Sequence, residues 1–359
     1  MSDRFATWRD RLAATAVAGR TRHTTVVTPT GATTARVDGR EVIVACSNDY
    51  LGLAHHPDVL AAARGGGAGA SRLLGGTRPE HAAVEAALAD HFGQTALFFP
   101  SGWHANLAVM ATVAQPGDLV ASDALVHASI IDGLRLSKAR RAVLPHARPD
   151  VPEDARMIVV ESLYSMDGDI PSLAAYPKTP WLVVDEAHAV GALGPGGRGV
   201  AAAQGVRPDV TIGTFGKAYG SAGAFVLGPP ELRDLLVNEG RSFLFSTAPP
   251  EPVARMALAG LRAADDEKRQ QLASNTSRLR AALGALGWSP LGEAHIVPIV
   301  VGPDVMAVAA RLLAAGVLAP GVRWPTVPTG QERIRLTVSA AHTPEQLDRI
   351  AEALGVPPG

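Results

Sequence analysis

The sequence predicts an α/β protein, with a large domain built on a mostly parallel sheet and a smaller α+β domain behind it. Between residues 97 and 227, short β-rich runs alternate with helical stretches, as in a parallel sheet covered by helices. Beyond residue 250, a long helical region is followed by strands that alternate with helices. The chain has 359 residues, more than one hydrophobic core usually holds, so two domains are expected.

The predicted elements follow from apolar periodicity and turn residues. The N-terminal part has a helix over 3–19, short strands within 24–45 around the turn at 37–40, and a helix over 79–92 with Pro79 in its first turn. In the large domain, strands are predicted at 97–99, 119–120, 157–160, 181–184, 210–212 and 224–227, and helices at 102–113 and 127–137. Residues 137–141 are interpreted as a basic, exposed helix end.

The C-terminal part is predicted to be a smaller α+β unit. Its elements are a helical region over 251–286, strands at 295–300 and 333–338, and helices at 304–315 and 343–354. We therefore divide the chain into an N-terminal segment (1–45) shared by the small domain and a substrate channel, a large domain (46–240) and a C-terminal small domain (241–359).

The composition excludes several classes of protein. Hydrophobic residues make up 47% and charged residues 19%, which is typical of a folded chain. The net charge of −1 gives no reason to expect nucleic acid or an anionic membrane as partner. Cys46 is the single cysteine, so no disulfide framework and no metal site are predicted. Residues 1–22 lack a secretory apolar core, and no apolar run approaches the ~20 residues of a membrane span, so a cytoplasmic protein is expected.

The four lysines narrow the search for a reactive amine. Lys138 and Lys268 lie in charged runs, and Lys178 lies in a proline-flanked loop. Lys217 instead follows an apolar strand, in the stretch 214–220, where glycines permit close approach. That setting is typical of an amine that forms an imine with a carbonyl compound. A partly buried lysine paired with a carboxylate remains the alternative.

Asp185 ends an apolar strand, and His188 follows three residues later. An enzyme that uses pyridoxal phosphate (PLP) needs a carboxylate against the pyridine nitrogen, which keeps the ring electron-poor. It also needs a hydrogen-bond donor near the ring hydroxyl, a role that His188 could fill. The alternative for Asp185 is a helix N-cap. The letters 185–188 also match a helicase box, but no phosphate-binding Gly-rich loop precedes them.

Three further stretches carry candidate site residues. The turn at 100–106 opens a helix, whose first amides could bind phosphate or simply be capped. His127 could lie over a cofactor ring or be structural. Glu161 ends a strand and begins a polar stretch that runs to Asp169.

Together these motifs resemble the α-oxoamine synthase family of fold-type I PLP enzymes. The resemblance runs from about residue 45 to 345, with Ser-Asn-Asp-Tyr-Leu-Gly-Leu (47–53) near one end and residues 333–342 near the other. Within the family, the stretch 321–328 is similar to that of members that join L-alanine to a pimeloyl thioester, on CoA or a carrier protein, with loss of CO2. Members that join glycine to acetyl-CoA are the alternative, and a catalytically inactive PLP-fold binding protein is an alternative of another class.

The resemblance implies a role for each matching position. Lys217 would bond to PLP and move protons, with His127, Asp185 and His188 as the other catalytic residues. The implied cofactor-binding residues are Gly102, Trp103, His127, Glu161, Ser165, Asp185, His188, Thr214, Lys217, Ser246 and Thr247. The implied substrate-binding residues are Arg22, Asn48, His127, Arg323, Thr326 and Arg335, with Arg20 as a rival of Arg22. Family members share sites between two subunits, so a homodimer is expected, with Ser246 and Thr247 reaching the partner's phosphate.

Overall fold

A computed structural model describes residues 3–357. The strands are β1 (Thr28–Pro29), β2 (Thr34–Val37), β3 (Arg40–Val44), β4 (Thr95–Phe99), β5 (Leu119–Asp123), β6 (Arg140–Leu144), β7 (Ala155–Glu161), β8 (Trp181–Asp185), β9 (Val210–Thr214), β10 (Ala224–Gly228), β11 (Ile296–Val300), β12 (Val317–Leu318), β13 (Gly321–Val322) and β14 (Arg333–Thr337). The helices are α1 (Ala6–Val17), α2 (Pro57–Ala62), α3 (Pro79–Phe92), α4 (Gly102–Val113), α5 (Ala128–Ser137), α6 (Gly199–Ala203), α7 (Pro230–Glu239), α8 (Arg241–Leu244), α9 (Glu251–Ala263), α10 (Asp266–Ala285), α11 (Val305–Ala314) and α12 (Pro344–Leu354).

A seven-stranded sheet in the order β4-β10-β9-β8-β7-β5-β6 forms the large unit. Strands β5 to β9 pair in parallel, and β10 is antiparallel to both of its neighbours. The predicted α/β class with a mostly parallel sheet is confirmed. Because β7, β8 and β9 run in the same direction, their carboxyl ends lie side by side at one edge of the sheet.

Both faces of this sheet are covered, which is why its central strands are apolar throughout. In β7, Val159 packs with residues of α4 and α5, whereas Ile158 and Val160 contribute to the core on the other face. All five residues of β9 are buried. The strand ends are therefore held by packing on both sides, which fixes the side chains that follow them.

The small unit combines both ends of the chain. Its three-stranded sheet has the order β11-β14-β13, and its core includes apolar residues of α10, α11 and α12. Strand β3 pairs in parallel with β12, so residues 28–44 form one sheet with a C-terminal strand. The predicted domain limits remain predictions. Because α9 packs against α2 and α3 of the large unit, we favour a domain boundary near residue 264, where the chain leaves the large unit, over one at 240.

One local prediction was wrong, and another is confirmed with a short break. Residues 140–144 form the edge strand β6, because α5 ends at Ser137 and Lys138 adopts a left-handed conformation (φ 61°) that turns the chain back beside β5. The helical region 251–286 is two helices, since Asp265 caps α10 by accepting a hydrogen bond from the Lys268 amide. Among residues 3–357, none of the helices combines the length and apolar composition that a bilayer crossing requires.

Candidate active site

A cavity of about 190 Å³ lies where β7, β8 and β9 end and α4 begins. Glu161 and Asp185 are the last residues of adjacent strands and stand opposite each other in register. The lining residues are Gly102, Trp103, Asn106, His127, Glu161, Asp185, Ala187, His188, Thr214 and Lys217. In parallel α/β sheets, ligands bind at this edge of the sheet.

Two donors hold the Asp185 carboxylate against the cavity wall. Asn106 Nδ2 donates to Oδ2 at 2.9 Å, and the Ala187 amide donates to Oδ1 at 3.0 Å. No α-helix of the described chain begins at Asp185, so the N-cap alternative is wrong. A buried carboxylate with a fixed orientation is suited to face a cationic ring nitrogen.

Lys217 lies on the turn between β9 and β10, which two glycines shape. Gly216 donates its amide to Thr214 Oγ1, and Gly220 has a φ of 63° with no room for a Cβ, which would lie 2.2 Å from the Ala54 nitrogen. Burial lowers the pKa of Lys217 to about 8, although the nearby carboxyls of Asp185 and Glu161 raise it. The amine therefore has a substantial neutral, nucleophilic fraction near neutral pH.

Glu161 and His127 are the other titratable groups of this wall. Burial and the neighbouring Asp185 raise the pKa of Glu161 well above its usual range. His127 lies at the cavity rim, where partial desolvation lowers its pKa. Its ring meets the Trp103 ring edge-on, with centroids 6.0 Å apart.

A buried arginine, Arg335, is connected to His188 through Asn48 and Tyr50. Arg335 donates from Nε to the Ser165 carbonyl and from Nη2 to Asn48 Oδ1 at 3.3 Å. Ser165 thus contributes a backbone carbonyl to the arginine and does not itself line the cavity. A guanidinium held this way is suited to a carboxylate ligand.

Comparisons with known proteins agree with this geometry. The family model of class I and II aminotransferases matches residues 40–354. The 8-amino-7-oxononanoate synthase of Burkholderia thailandensis is 43% identical over 355 residues, covering 89% of this chain and 90% of that protein.

The chain belongs to the class I and II aminotransferase family. Within it, the predicted resemblance to the α-oxoamine synthases is confirmed. The structure of a Sphingomonas wittichii serine palmitoyltransferase has a TM-score of 0.89 at 30% identity, covering 98% of this chain and 96% of that one. A Francisella tularensis 8-amino-7-oxononanoate synthase has a TM-score of 0.76 at 25% identity, covering 87% of this chain and 96% of that one.

The chemistry of the cavity fits PLP, the cofactor of this enzyme family. A serine palmitoyltransferase with a TM-score of 0.90 was solved with PLP. Here, Asp185 could face the pyridine nitrogen, and the Lys217 amine could meet the aldehyde. The first amides of the 12-residue helix α4 could meet the phosphate. Asn106 Oδ1 is buried without a partner among the described residues, which marks the cavity floor as polar.

The structure leaves several predicted residues outside the cavity lining. Arg22, Thr247 and Thr326 are exposed, and Ser246 and Arg323 are half-buried. Asn48 and Arg335 also lie outside the lining, although Tyr50 connects Asn48 to His188. Arg323 donates to the Thr21 carbonyl at 3.0 Å, and the Arg20 guanidinium lies 4.7 Å from the Trp324 ring centroid. The N-terminal segment therefore meets the 321–328 stretch, and the roles assigned to these residues stay predictions.

The sequence reasoning missed three residues that support the cavity. Asn106 holds Asp185, Ser129 contacts His127, and Tyr50 contacts His188. Asn106 lies four residues after Gly102 and hence on the same face of α4. This spacing is a sequence signal from which Asn106 could have been predicted as a site residue. Tyr50 is separated from His188 by 138 positions, so no local pattern links the two.

Proposed function

We propose that this enzyme condenses L-alanine with a pimeloyl thioester, releasing CO2 and the free thiol and forming 8-amino-7-oxononanoate, a biotin precursor. The observation that carries the proposal is that the Lys217 amine and the buried Asp185 carboxylate line one cavity. The buried guanidinium of Arg335 is connected to His188 of the same lining through Asn48 and Tyr50. The 43% identity to an 8-amino-7-oxononanoate synthase supports this substrate pair.

PLP bound in this cavity would supply an electron sink for the negative charge left when an amino acid loses its α-proton. Asp185, fixed by Asn106 and the Ala187 amide, would hold a proton on the ring nitrogen. Lys217 would bond to the cofactor and, once free, take the α-proton and later return one. An amine with a pKa of about 8 is well matched to both transfers near neutral pH.

Substrate binding is proposed to use the cationic side of the site. Arg335 and Asn48 would bind the alanine carboxylate. The new carbon–carbon bond joins the alanine α-carbon to the thioester carbonyl carbon, and the thiol leaves. Arg323, Thr326 and an N-terminal arginine, Arg22 or its rival Arg20, would line the acyl channel, where a guanidinium suits the distal carboxylate of a pimeloyl chain.

We further propose that the active enzyme is a homodimer with shared sites. Ser246 and Thr247 lie on the loop after α8, beside Phe245, whose side chain is 74% exposed. Leu74, 81% exposed, lies near the same segment, because Ser71 forms a β-bridge with Thr247. Large apolar side chains that one copy leaves uncovered are typical of an interface.

The test is a substrate matrix with the purified, PLP-loaded protein. L-Alanine, glycine and L-serine are each combined with pimeloyl-CoA, acetyl-CoA and palmitoyl-CoA, and CO2 and free thiol are measured. We expect the highest kcat/KM for L-alanine with pimeloyl-CoA. A preference for glycine with acetyl-CoA, or for serine with palmitoyl-CoA, would assign the enzyme to another branch of the family.

A further inference from the structure

Tyr50 links the two sides of the site from a fully buried position. Its ring packs on His295 with centroids 4.0 Å apart. Its hydroxyl lies 3.0 Å from Asn48 Oδ1 and 2.7 Å from His188 Nδ1. One hydroxyl therefore touches a residue of the carboxylate site and a residue of the cofactor cavity.

The direction of these hydrogen bonds follows from Arg335. A guanidinium can only donate, so the Asn48 atom that faces it is the carbonyl oxygen, Oδ1. The same oxygen faces the Tyr50 hydroxyl, and two oxygens can share a hydrogen bond only if the hydroxyl donates. Burial raises the pKa of Tyr50 to about 12, so the hydroxyl keeps its single proton at neutral pH.

His188 must then donate to Tyr50. The Tyr50 proton is directed to Asn48, so the contact with His188 Nδ1 requires an N–H on that nitrogen. Burial and the positive charges of Lys217 and Arg335 lower the pKa of His188 well below its usual range, so the ring is neutral. Its other nitrogen, Nε2, is consequently a hydrogen-bond acceptor.

The second histidine of the cavity has the opposite tautomer. His127 Nδ1 accepts a hydrogen bond from the Ser129 amide at 3.3 Å, so its proton is on Nε2. Asn106 donates to Ser129 Oγ at 3.0 Å, which leaves the hydroxyl proton free to point at His127 Nδ1, 2.7 Å away. The cavity thus has one imidazole that donates from Nε2 and one that accepts there.

We propose that Tyr50 is a positioning residue that fixes the Nδ1–H tautomer of His188 and the amide orientation of Asn48. Building on the proposed function, His188 Nε2 would accept a hydrogen bond from the cofactor's ring hydroxyl, in place of the donor role expected from the sequence. Asn48 Nδ2 would donate to the alanine carboxylate beside Arg335. Removal of one hydroxyl would then disturb both the cofactor side and the amino-acid side, while the acyl side is untouched.

The direct test is to determine the tautomer of His188 by nitrogen NMR of the histidine side chains, in the full-length protein before PLP is added. The His188 resonances are identified by their loss in His188→Gln. We expect a protonated Nδ1 and an unprotonated Nε2 in the wild type, and loss of this single tautomer in Tyr50→Phe. A wild-type His188 protonated on Nε2, or an unchanged tautomer in Tyr50→Phe, would overturn the proposal. The wild-type spectrum decides even if the variant fails to fold.

Kinetics supply the second measurement. Tyr50→Phe should raise KM for alanine about tenfold, as expected for one positioning hydrogen bond, and leave KM for the acyl thioester unchanged. Tyr176→Phe is the matched control, because Tyr176 is buried and its hydroxyl has no partner among the described residues. Equal changes in both KM values would remove Tyr50 from this role. Absence of product in the wild type would refute the proposed function but leave the NMR result standing.

Discussion

Two groups of proposed site residues differ in how much of their surroundings this chain supplies: the inner residues, which line the cavity, and the outer residues, which are proposed to bind substrate or the partner's phosphate. Around the cavity, Asp185, Glu161 and Lys217 end or follow strands that are packed on both faces, and Asn106 and the Ala187 amide hold the Asp185 carboxylate. The outer residues are less enclosed: Arg22, Thr247 and Thr326 are exposed, on loops or on the N-terminal segment. The proposed cofactor chemistry therefore rests on residues that this chain positions by itself, whereas the proposed substrate entrance and phosphate contacts use surfaces that a partner could complete.

The largest effect is expected at the inner amine. Lys217→Ala should lower kcat by about 10⁴-fold, since it removes both the covalent attachment and the general base, and the visible absorption band of bound PLP should be lost. Lys178→Ala, in an exposed loop, is the matched control and should retain both. Near-normal turnover in Lys217→Ala would show that the inner cavity is not the reaction centre.

Asp185→Asn tests the electron-sink argument with little change in shape. The variant should still bind PLP, but exchange of the alanine α-proton with D2O, followed by NMR, should slow by about 100-fold, because an amide cannot keep the ring nitrogen protonated. Asp209→Asn, on another loop of the same sheet, serves as control. Exchange at the wild-type rate in Asp185→Asn would contradict the role of this carboxylate.

Subunit mixing tests whether the outer residues act across an interface. The inner variant Lys217→Ala and the outer double variant Ser246→Ala/Thr247→Ala, each weakly active alone, are unfolded together and refolded. If sites are shared, mixed dimers contain one site with both defects and one intact site. About a quarter of wild-type activity should then return. Activity that never exceeds the average of the two parents would mean that each site takes Lys217, Ser246 and Thr247 from the same subunit.

Arg335→Lys should mainly weaken binding of the amino-acid substrate. Lysine keeps the charge but not the fork that contacts the Ser165 carbonyl and Asn48, so KM for alanine should rise about tenfold while KM for pimeloyl-CoA changes little. Steady-state kinetics, with each substrate varied in turn, measure the two KM values separately. Equal increases for both substrates would mean that Arg335 only supports the fold.

Replacement of His146 is expected to have a smaller effect, on stability alone. This residue contacts carboxylates on two loops near the cavity. Its ring contacts Asp123 at 3.1 Å and Asp169 at 2.8 Å, and hydrogen bonds to these carboxylates raise the pKa of His146 to about 10. Its stabilising contribution is therefore complete below the unfolded-state pKa of about 6.5 and is lost as the pH rises through 10.

Urea unfolding at several pH values tests this predicted pH dependence of the stabilisation by His146. His146→Gln should lower the free energy of unfolding by about 2 kcal/mol at pH 6, and the difference from the wild type should nearly vanish above pH 10. His23→Gln, at an exposed position of the N-terminal segment, is the control. A difference that is constant with pH would mean that His146 is not charged in the native state.

Strand-end chemistry explains why the inner site could be predicted from sequence. Apolar runs place Glu161 and Asp185 at adjacent strand ends, and the same pattern places Lys217 after β9. Local signals also gave the bounds of α3 and α4, where proline or a capping serine marks the start. Helix α9 packs against α2 and α3, although the predicted limits assign it to the C-terminal domain, because amphipathic periodicity does not say which core a helix covers.

Long-range partners explain what the sequence could not provide. Tyr50 and His188, or Arg335 and Ser165, meet only because β14 and the 47–53 segment fold against the large sheet. The edge strand β6 was missed because its arginines resemble a solvated helix end, and only its pairing with β5 shows otherwise. Residues that serve a second subunit give no signal in one chain beyond exposed apolar neighbours such as Phe245.

The most direct measurement is to locate the lysine that bonds to the cofactor. The PLP-loaded protein is reduced with borohydride, digested, and analysed by mass spectrometry for the pyridoxyl-modified peptide. We predict that Lys217 alone, of the four lysines, carries the modification. Modification of Lys138, Lys178 or Lys268 instead, or of none, would contradict the assignment of the cavity as the active site.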